Sequence, residues 1–280
     1  MDGVITLTTD FGAGDAYVAA MKGVILGINP MVTLVDICHN IEPQNIAQAA
    51  FVLSTAYPYF PPGTIHLVVV DPGVGSQRRA ILLKTPSAYF VAPDNGALSY
   101  IIEAGWAQGA GREVGGVSSQ ARERELGPGF EAIALTNPRF WCATVSATFH
   151  GRDIFAPVAA HLSAGVSIHE FGELIPRLLA FPPPRPRVAA DGTIEGHVLH
   201  IDSFGNLITD VRAEDLPPGE LSIEVKRRRI AGLSPAYAQG GELLALLGSS
   251  GNLEVAARNR SAAKLLAAQI GDSVRIRGNP

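Results

Sequence analysis

The sequence predicts an α/β fold with a mainly parallel central sheet for residues 1–180, followed by a smaller, mainly β domain. Two observations predict the first part: short apolar runs alternate with segments of helical spacing, and both faces of those runs are apolar. Strands of this kind belong to a parallel sheet that helices cover on each side. The third observation is a change, beyond the proline-rich linker 181–187, to short segments punctuated by Gly, Pro and Asn. It predicts the mainly β domain, 188–280.

The first part alternates strands and helices in order. GVITLTTD is a strand, and the helix after it stops at Asn29 and Pro30. VTLVDICH is the second strand, and the next helix has Pro43 near its first turn and Pro58 at its end. GTIHLVVVD, AILLKT and AYFVAPDNG are three further strands. A later helix begins within FHGRDIFAPVAAHLSAG, with Pro157 in its first turn.

The mainly β domain follows AFPPPRPR, which is too rich in proline to lie inside a helix or strand. SAAKLLAAQIG is the clear helix of this domain. Its predicted strands lie in the segments IEGHVLHID, NLITDV, LSIEV, LLALLGSSGNLEVAARN and DSVRIRG.

Composition narrows the class of protein. Of 280 residues, 22 are Lys or Arg and 26 are Asp or Glu, and the net charge of −4 argues against a nucleic-acid partner. The basic run KRRRI is interpreted as a solvated face. The N-terminus lacks a secretory pattern and no apolar run approaches the ~20 residues of a membrane span. Cys38 and Cys142 have no paired spacing, so we expect a cytoplasmic protein.

Four acidic residues follow or end predicted strands: Asp10, Asp36, Asp71 and Asp94. A single aspartate there is usually a turn former. In open α/β sheets, however, ligands collect at the carboxyl edge of the strands, so four together indicate a site.

One group of residues at that edge suggests water activation. Asp71 ends a strand, Arg78 lies one glycine turn later, and His150 begins a distant helix. A carboxylate, a guanidinium and an imidazole around one water would orient it and favour its hydroxide-like character. Each residue alone has an ordinary reading as a turn cap, surface ion pair or helix cap, and spacing alone does not decide whether Arg78 or Arg79 points inward.

A metal centre is the alternative. Asp36 and His39 have D-x-x-H spacing, and Asp10, Asp71, Asp94, His150 and Asp153 supply further candidate ligands. Against it, the sequence has no H-x-H, H-E-x-x-H or cysteine cluster, so neither a metal nor a cofactor is expected. It also lacks a G-x-S-x-G elbow, and its DPGVGSQ turn is neither a P-loop nor a dinucleotide fingerprint.

Seven ordered segments carry a family resemblance, from Thr6 to about Leu266. They are TLTTDFGAGDAYVAAMKG, VDICHNIEP, VVVDPGVGSQRR, VAPDNG, TFHGRDIFAPVAAHLSAG, IDSFGNLIT and LEVAARNRSAAKLL. Together they resemble the S-adenosyl-L-methionine (SAM) hydroxide adenosyltransferase family, the hydrolase branch of the superfamily that also holds fluorinases and chlorinases.

The resemblance implies an α/β N-terminal domain, a β-barrel-like C-terminal domain and a homotrimer whose active sites lie between neighbouring subunits. It implies metal-independent hydrolysis of SAM to adenosine and L-methionine, with Asp71, Arg78 and His150 as the water-activating trio. Asp10 matches the residue that binds the ribose hydroxyls, and Asp15 one near the methionine amino group. The remaining implied contacts are Asp202 for the methionine end, Phe204 and Asn206 for the adenine, and Ser250, Arg258 and Arg260 around the adenine pocket.

Some features depart from the family pattern. Cys38 stands where a threonine is expected, Asp210 where asparagine is more common, and the IDSFGN segment is one residue shorter than its halogenase counterpart, which weakens the assignment of Asp202. None of these falls on the trio.

Two other functions are weighed against hydrolysis. Halogenases of the superfamily have tyrosine at the position of Asp71, whose charge would repel a halide, and the link after Arg79 has no room for the fluorinase's extra loop. A non-catalytic SAM or adenosine sensor would keep the adenine pocket and lose the trio, yet all three residues are present.

Overall fold

The computed structural model describes residues 3–106 and 120–279, which form two units whose boundary falls between Pro183 and Pro184. The main sheet of the first unit contains seven strands: β1 (Val4–Thr9), β2 (Thr33–Cys38), β3 (Thr64–Val69), β4 (Ala80–Lys84), β5 (Ala88–Pro93), β7 (Glu131–Leu135) and β8 (Gly172–Ile175). Their order is β2-β1-β3-β5-β4-β7-β8, and five run in one direction while β4 and β8 run against their neighbours. A separate antiparallel pair joins β6 (Arg122–Glu125) to β9 (Arg177–Ala180).

Helices cover both faces of this sheet: α1 (Tyr17–Ile28) and α4 (Ala156–Ser163) one face, α2 (Ile46–Ala56) and α3 (Ser99–Trp106) the other. All six residues of β3 are buried. Its Leu67 and Val69 belong to the core of α1 and α4, whereas Val68 belongs to the core on the opposite face. Because successive side chains alternate between faces, a doubly covered strand is buried on both faces and is mainly apolar. The predicted α/β fold is confirmed.

The start of α2 differs from the prediction, because Pro43 precedes the helix. Gln44 takes a left-handed backbone with φ of 67°, and the Asn45 side chain caps the helix by accepting the Gln48 N–H. The helix ends at Ala56, and Pro58 lies in the 3₁₀ turn that follows. A proline has no N–H to continue the α-helical pattern, so the predicted stop occurs here.

His66 is fully buried in the centre of β3. Its Nδ1 lies 2.8 Å from Oγ1 of Thr6, its ring stacks on Phe90 at 5.0 Å, and its Nε2 has no partner among the described residues. Burial lowers its pKa to about 4. The imidazole is therefore neutral in the folded protein at neutral pH.

This histidine predicts a pH-dependent stability. Between pH 6.5 and about 4, His66 is protonated in the unfolded chain but neutral in the folded chain. The free energy of unfolding therefore falls as the pH falls. We expect His66 to account for a loss of about 3 kcal/mol across this window. Urea denaturation at several pH values measures it, and His66→Leu should remove that part of the pH dependence. An equal dependence in the variant would contradict the assignment.

The second unit is built on antiparallel strands around its own core. Its elements are β10 (Arg187–Val188), β11 (Ile194–Ile201), β12 (Leu207–Arg212), β13 (Glu220–Val225), β14 (Arg228–Ala231), β15 (Leu243–Leu247), β16 (Asn252–Ala257), β17 (Ser273–Asn279) and α5 (Ala262–Leu266). The strand order is β14-β13-β17-β11-β12-β16-β15, with β10 paired to β11. Leu207, Val255 and Ile276 face the shared interior.

This sheet curls until its edges approach each other. The Ser234 N–H, just beyond β14, donates to the Ala245 carbonyl on β15 at 2.7 Å, which links the two edges of the sheet. The predicted β-barrel-like second domain is therefore confirmed. Lys226 and Arg227 form the tight turn between β13 and β14, and Arg228 and Arg229 are exposed on β14. Across the described residues, every helix is too short or too polar to act as a membrane span.

Candidate active site

The chain leaves β3 through a glycine turn that carries Asp71 and Arg78. Gly75 has φ of 77°, and a Cβ there would lie 2.6 Å from the Ala147 carbonyl oxygen, so this close approach requires glycine. The Ser76 hydroxyl donates to the Gly73 carbonyl at 2.6 Å and accepts the Arg78 N–H at 3.2 Å. The turn is thus held against the segment that precedes His150, and it returns Arg78 towards Asp71.

Arg78 contacts both of the other predicted trio residues. Its Nε donates to Oδ1 of Asp71 at 2.9 Å, and its Nη2 donates to Oδ2 at 2.5 Å. The same Nη2 lies 2.9 Å from Nδ1 of His150. The side chains of Arg78 and Asp71 are only 11% and 6% exposed, and the Phe155 ring lies 5.1 Å from the guanidinium carbon. The structure therefore brings Asp71, Arg78 and His150 together in a largely buried chain of contacts.

Arg79, which spacing alone could not distinguish from Arg78, points elsewhere. Its Nε donates to Oδ2 of Asp94 at 2.8 Å, and its Nη2 contacts the Arg177 carbonyl. The second oxygen of Asp94 accepts the Leu179 N–H at 2.7 Å, and burial raises the pKa of Asp94 despite these donors. Asp94 and Arg79 therefore tie β5 to β9 and stand apart from the trio.

His150 precedes a π-helical turn, Gly151–Phe155, which continues into α4. Pro157 lies inside this continuous helical segment and frees the Asp153 carbonyl four residues earlier. The Cys142 N–H takes up that carbonyl at 2.8 Å. A Cβ at Gly151 would meet Val69 of β3 and Met21 of α1 at 3.2 and 3.3 Å. The helix start is therefore packed tightly beneath the end of β3, next to Asp71.

The contact with Arg78 fixes the protonation of His150. A guanidinium only donates hydrogen bonds, so Nδ1 of His150 must accept, and the neutral ring carries its proton on Nε2. Burial lowers the pKa of His150 and the Arg78 charge lowers it further, whereas Asp71 and Asp153 oppose the shift. At neutral pH the imidazole is thus neutral, and Arg78 occupies its Nδ1 lone pair.

Asp10 and Asp15 lie in the loop between β1 and α1. Oδ2 of Asp10 accepts the Gln44 N–H at 2.8 Å, which the left-handed backbone of Gln44 aims at it. Oδ1 has no donor among the described residues. Asp15 is exposed. Both carboxylates are thus available to a ligand, Asp10 in a fixed orientation and Asp15 in a free one.

Three aromatic rings connect this loop to the His150 segment. Phe11, Tyr17 and Phe149 have centroid separations of 5.1 to 5.7 Å, and the Arg152 guanidinium lies over Phe149 at 5.2 Å. Tyr17 is 48% exposed. The loop that carries Asp10 and Asp15 therefore packs against the residue that precedes His150.

The candidate metal ligands are not gathered in this way. Asp36 lies within β2, where one oxygen pairs with Nζ of Lys22 at 2.6 Å and the other with Nε2 of His39 at 2.9 Å. Its carboxylate is therefore engaged by a lysine and a histidine. Among the described residues, no cluster of three or more His, Cys, Asp or Glu side chains is arranged to hold a metal ion.

In the second unit, Asp202 shapes the turn between β11 and β12. Its Oδ1 accepts the N–H groups of Phe204 and Asn206 at 2.9 and 2.8 Å, and its Oδ2 accepts the Asn206 side-chain amide at 2.9 Å. Asn206 is buried, whereas Phe204 is 77% exposed. The Asp202 carboxylate is thus largely occupied by its own turn, and Phe204 offers the free apolar face.

Arg258 and Arg260 lie beside this turn, because β12 and β16 are antiparallel and the end of β16 meets the start of β12. The Ala263 N–H donates to the Gly205 carbonyl at 2.9 Å, which joins the two segments. Ser250 lies in the β15–β16 hairpin at the other end of β16, about 20 Å away along a six-residue strand. Ser250 and the arginine segment therefore lie at opposite ends of β16.

Comparison with known proteins gives the family. Residues 5–172 match the SAM hydroxide adenosyltransferase N-terminal domain, and residues 196–275 match the C-terminal domain. The chain belongs to the SAM hydroxide adenosyltransferase family. The predicted resemblance is confirmed, and the two matched regions fall in the two units of the structure.

Relatives of this family align along nearly the whole chain. A protein of Salinispora tropica named (R)-S-adenosyl-L-methionine hydrolase is 38% identical over 275 residues, covering 97% of each chain. A solved structure of an uncharacterized conserved protein from Thermotoga maritima has a TM-score of 0.83 and 33% identity, covering 97% of this chain and 99% of that one.

The fluorinases are more distant relatives of this family member. The fluorinase of Nocardia brasiliensis is 27% identical over 311 aligned positions, covering 98% of this chain and 96% of that enzyme. The alignment is longer than this 280-residue chain, so the fluorinase carries residues that this chain lacks. In sequence, this family member is therefore closer to the hydrolases.

Proposed function

We propose that this protein hydrolyses SAM to adenosine and L-methionine. The observation that carries the proposal is the contact of Arg78 with both Asp71 and His150 in a largely buried position. Relatives that are 34–38% identical and named SAM hydrolases support the same reaction. An enzyme of this kind needs an activated water, and the trio supplies a base, a positive charge and a neutral donor around one position.

The chemistry of the substrate explains why these groups suffice. The sulfonium of SAM is positively charged and leaves as a neutral thioether, so its departure needs no general acid. Water oxygen attacks ribose C5′, the new C5′–O bond forms, and the electrons of the C5′–S bond pass to sulfur. The difficult partner is the nucleophile, since hydroxide is scarce at neutral pH.

Each trio residue has a distinct task in this reaction. Arg78 stabilises negative charge that develops on the attacking oxygen. Asp71 accepts the proton that the water loses, because its Oδ1 accepts one hydrogen bond from Arg78 and keeps a second lone pair. Neutral His150 holds the guanidinium in place through Nδ1. Placing the oxygen in line behind C5′ contributes up to ~7–11 kcal/mol of the barrier reduction.

Incubation with SAM and EDTA tests the reaction. We expect adenosine and methionine by chromatography, with one solvent oxygen-18 atom in the adenosine 5′-hydroxyl, because water is the nucleophile. Added chloride or fluoride should give no 5′-halogenated adenosine, since the buried Asp71 carboxylate repels a halide. Loss of turnover with EDTA would return the metal-centre alternative. Binding of SAM without release of product would indicate a sensor.

The oligomeric state and the cellular location form part of the same proposal. The family resemblance supports a homotrimer whose sites combine Asp10, Asp15 and the trio of one subunit with Phe204 and Asn206 of the next. The roles proposed for Asp202, Ser250, Arg258 and Arg260 in binding the adenine and methionine ends rest on the same resemblance. We further propose a cytoplasmic enzyme that uses no cofactor. Light scattering measures the trimer directly.

A further inference from the structure

The π-helical turn after His150 contains a carboxylate that the trio does not use. Asp153 is only 1% exposed, yet its pKa is lowered: burial alone would raise it, and hydrogen bonds from Arg152 and Ser146 outweigh that effect. The carboxylate is thus a buried negative charge in the element that carries His150. A charge in such a place is stable only when it is paired and hydrogen-bonded.

The donors to Asp153 come from the segment around His150. Its Oδ2 accepts the N–H and the hydroxyl of Ser146 at 2.8 and 2.7 Å, and its Oδ1 accepts Nε of Arg152 at 2.6 Å. The Ser146 hydroxyl in turn accepts the N–H of Phe149 at 3.1 Å. One carboxylate therefore holds the loop on both sides of the histidine.

Ser146 and Asp153 also influence the titration of the imidazole. Burial and the Arg78 charge lower the pKa of His150, whereas the Asp153 charge and the Ser146 backbone act in the opposite direction. The chain of contacts runs from Asp153 to the Ser146 hydroxyl and on to the N–H of Phe149, and the adjacent His150 contacts Arg78. A shift of Ser146 would consequently turn the ring away from the guanidinium.

We propose that Asp153 is a positioning residue for the trio, which sets the orientation of His150 through Ser146 and the N–H of Phe149. The proposal rests on the proposed hydrolysis, because its kinetic readout is SAM turnover. The charged groups that act on the ring are Arg78, Asp71 and Asp153, and α1 and β3 contribute the apolar side chains of Met21 and Val69 beneath Gly151.

Asp153→Asn keeps the size of the side chain and removes its charge. We expect kcat to fall about ten- to a hundred-fold with KM changed less than threefold, because small displacements of a catalytic group are costly. The pKa of His150, followed by NMR of ¹⁵N-histidine-labelled protein without substrate, should fall below the wild-type value. The acid limb of the kcat/KM profile should move to lower pH with it.

Asp94→Asn is the matched control. Asp94 is also a buried carboxylate that accepts from an arginine and a backbone N–H, but it lies on the β5–β9 side and does not contact His150. Its replacement should lower the melting temperature without changing kcat or the His150 titration. If the kcat and His150 pKa of Asp153→Asn match those of Asp94→Asn, the positioning role is refuted.

Ser146→Ala is a second test of the positioning role, and it does not require the Asp153→Asn variant to fold. It removes the hydroxyl between Asp153 and Phe149 and leaves the buried charge in place, so kcat should fall about threefold to tenfold while the His150 pKa stays near wild type. A wild-type kcat in this variant overturns the proposal. The NMR titration needs no turnover, so a failure of the proposed hydrolysis is recognised separately, by the absence of adenosine with wild-type protein.

Discussion

Replacing Arg78 by methionine is expected to lower kcat for SAM hydrolysis about 1,000-fold and to change KM less than about threefold. Nη2 of Arg78 contacts both Asp71 and His150, so its loss separates the base from the imidazole and removes the positive charge beside the developing hydroxide. The substrate sulfonium, being itself positive, gains nothing from this guanidinium in the ground state. Steady-state kinetics at limiting and saturating SAM separate the two parameters.

Arg78→Met should also lower the stability of the folded protein, which needs its own measurement. The Asp71 side chain is 6% exposed, and removing its partner leaves a buried charge unpaired, at a cost to stability of about 3–5 kcal/mol. The double variant Asp71→Asn/Arg78→Met removes both buried charges, whereas Asp71→Asn alone leaves the Arg78 guanidinium without its carboxylate. Because the trio acts as a unit, the double variant should lose about as much kcat as either single one. Losses that multiply in the double variant would contradict a shared function.

Arg79→Met is the natural control, since it removes the adjacent guanidinium. That residue ties Asp94 to β9, so we expect a lower melting temperature with kcat within about threefold of wild type. A 1,000-fold loss in both arginine variants would mean that the turn as a whole, rather than Arg78, determines the rate.

Much of the fold follows from local pattern. The runs that become β1 and β3 contain no charged residue and are mostly buried, because helices cover both sides, and that burial requirement is visible in sequence. The direction of β4 is not visible, since AILLKT is equally suitable for a parallel strand. The π-helical turn is also hidden, because the Asp153 carbonyl that Pro157 frees is bound by Cys142, a residue outside the helix.

The candidate site was predictable in its residue types and less so in its contacts. The acidic residues indicated the edge of the sheet at which Asp71, Arg78 and His150 meet. Asp36 and Asp94 pair with other cations, and of the four aspartates Asp71 is the one whose arginine also contacts an imidazole. Nothing local separates Arg78 from Arg79. Gln44 and Asp153 were missed as supports of the site. The E-P-Q-N turn before α2 was an available signal for Gln44, whereas the burial of Asp153 emerges only in three dimensions.

Replacing Asp10 by alanine should weaken binding rather than turnover. Oδ2 of Asp10 is held by the Gln44 N–H, and Oδ1 is available to the ribose hydroxyls of the proposed substrate. Hydrogen bonds to a carboxylate contribute about 2 kcal/mol, so we expect Kd for adenosine and KM for SAM to rise about 30-fold, with kcat within about threefold. Calorimetry with adenosine and kinetics with SAM measure the two effects.

Asp15→Ala distinguishes binding of the methionine end of SAM from binding of the adenosine end. If Asp15 binds the methionine amino group, this variant raises KM for SAM and leaves the adenosine Kd unchanged, because adenosine lacks the methionine chain. Asp36→Ala, which alters a carboxylate already paired with Lys22 and His39, should change neither value. A similar loss of adenosine affinity in all three variants would mean that the net negative charge of this edge, and not the orientation of Asp10, attracts the nucleoside. The fixed hydrogen bond from Gln44 favours orientation, since a carboxylate that acts only by its charge has no need of a strained backbone to aim it.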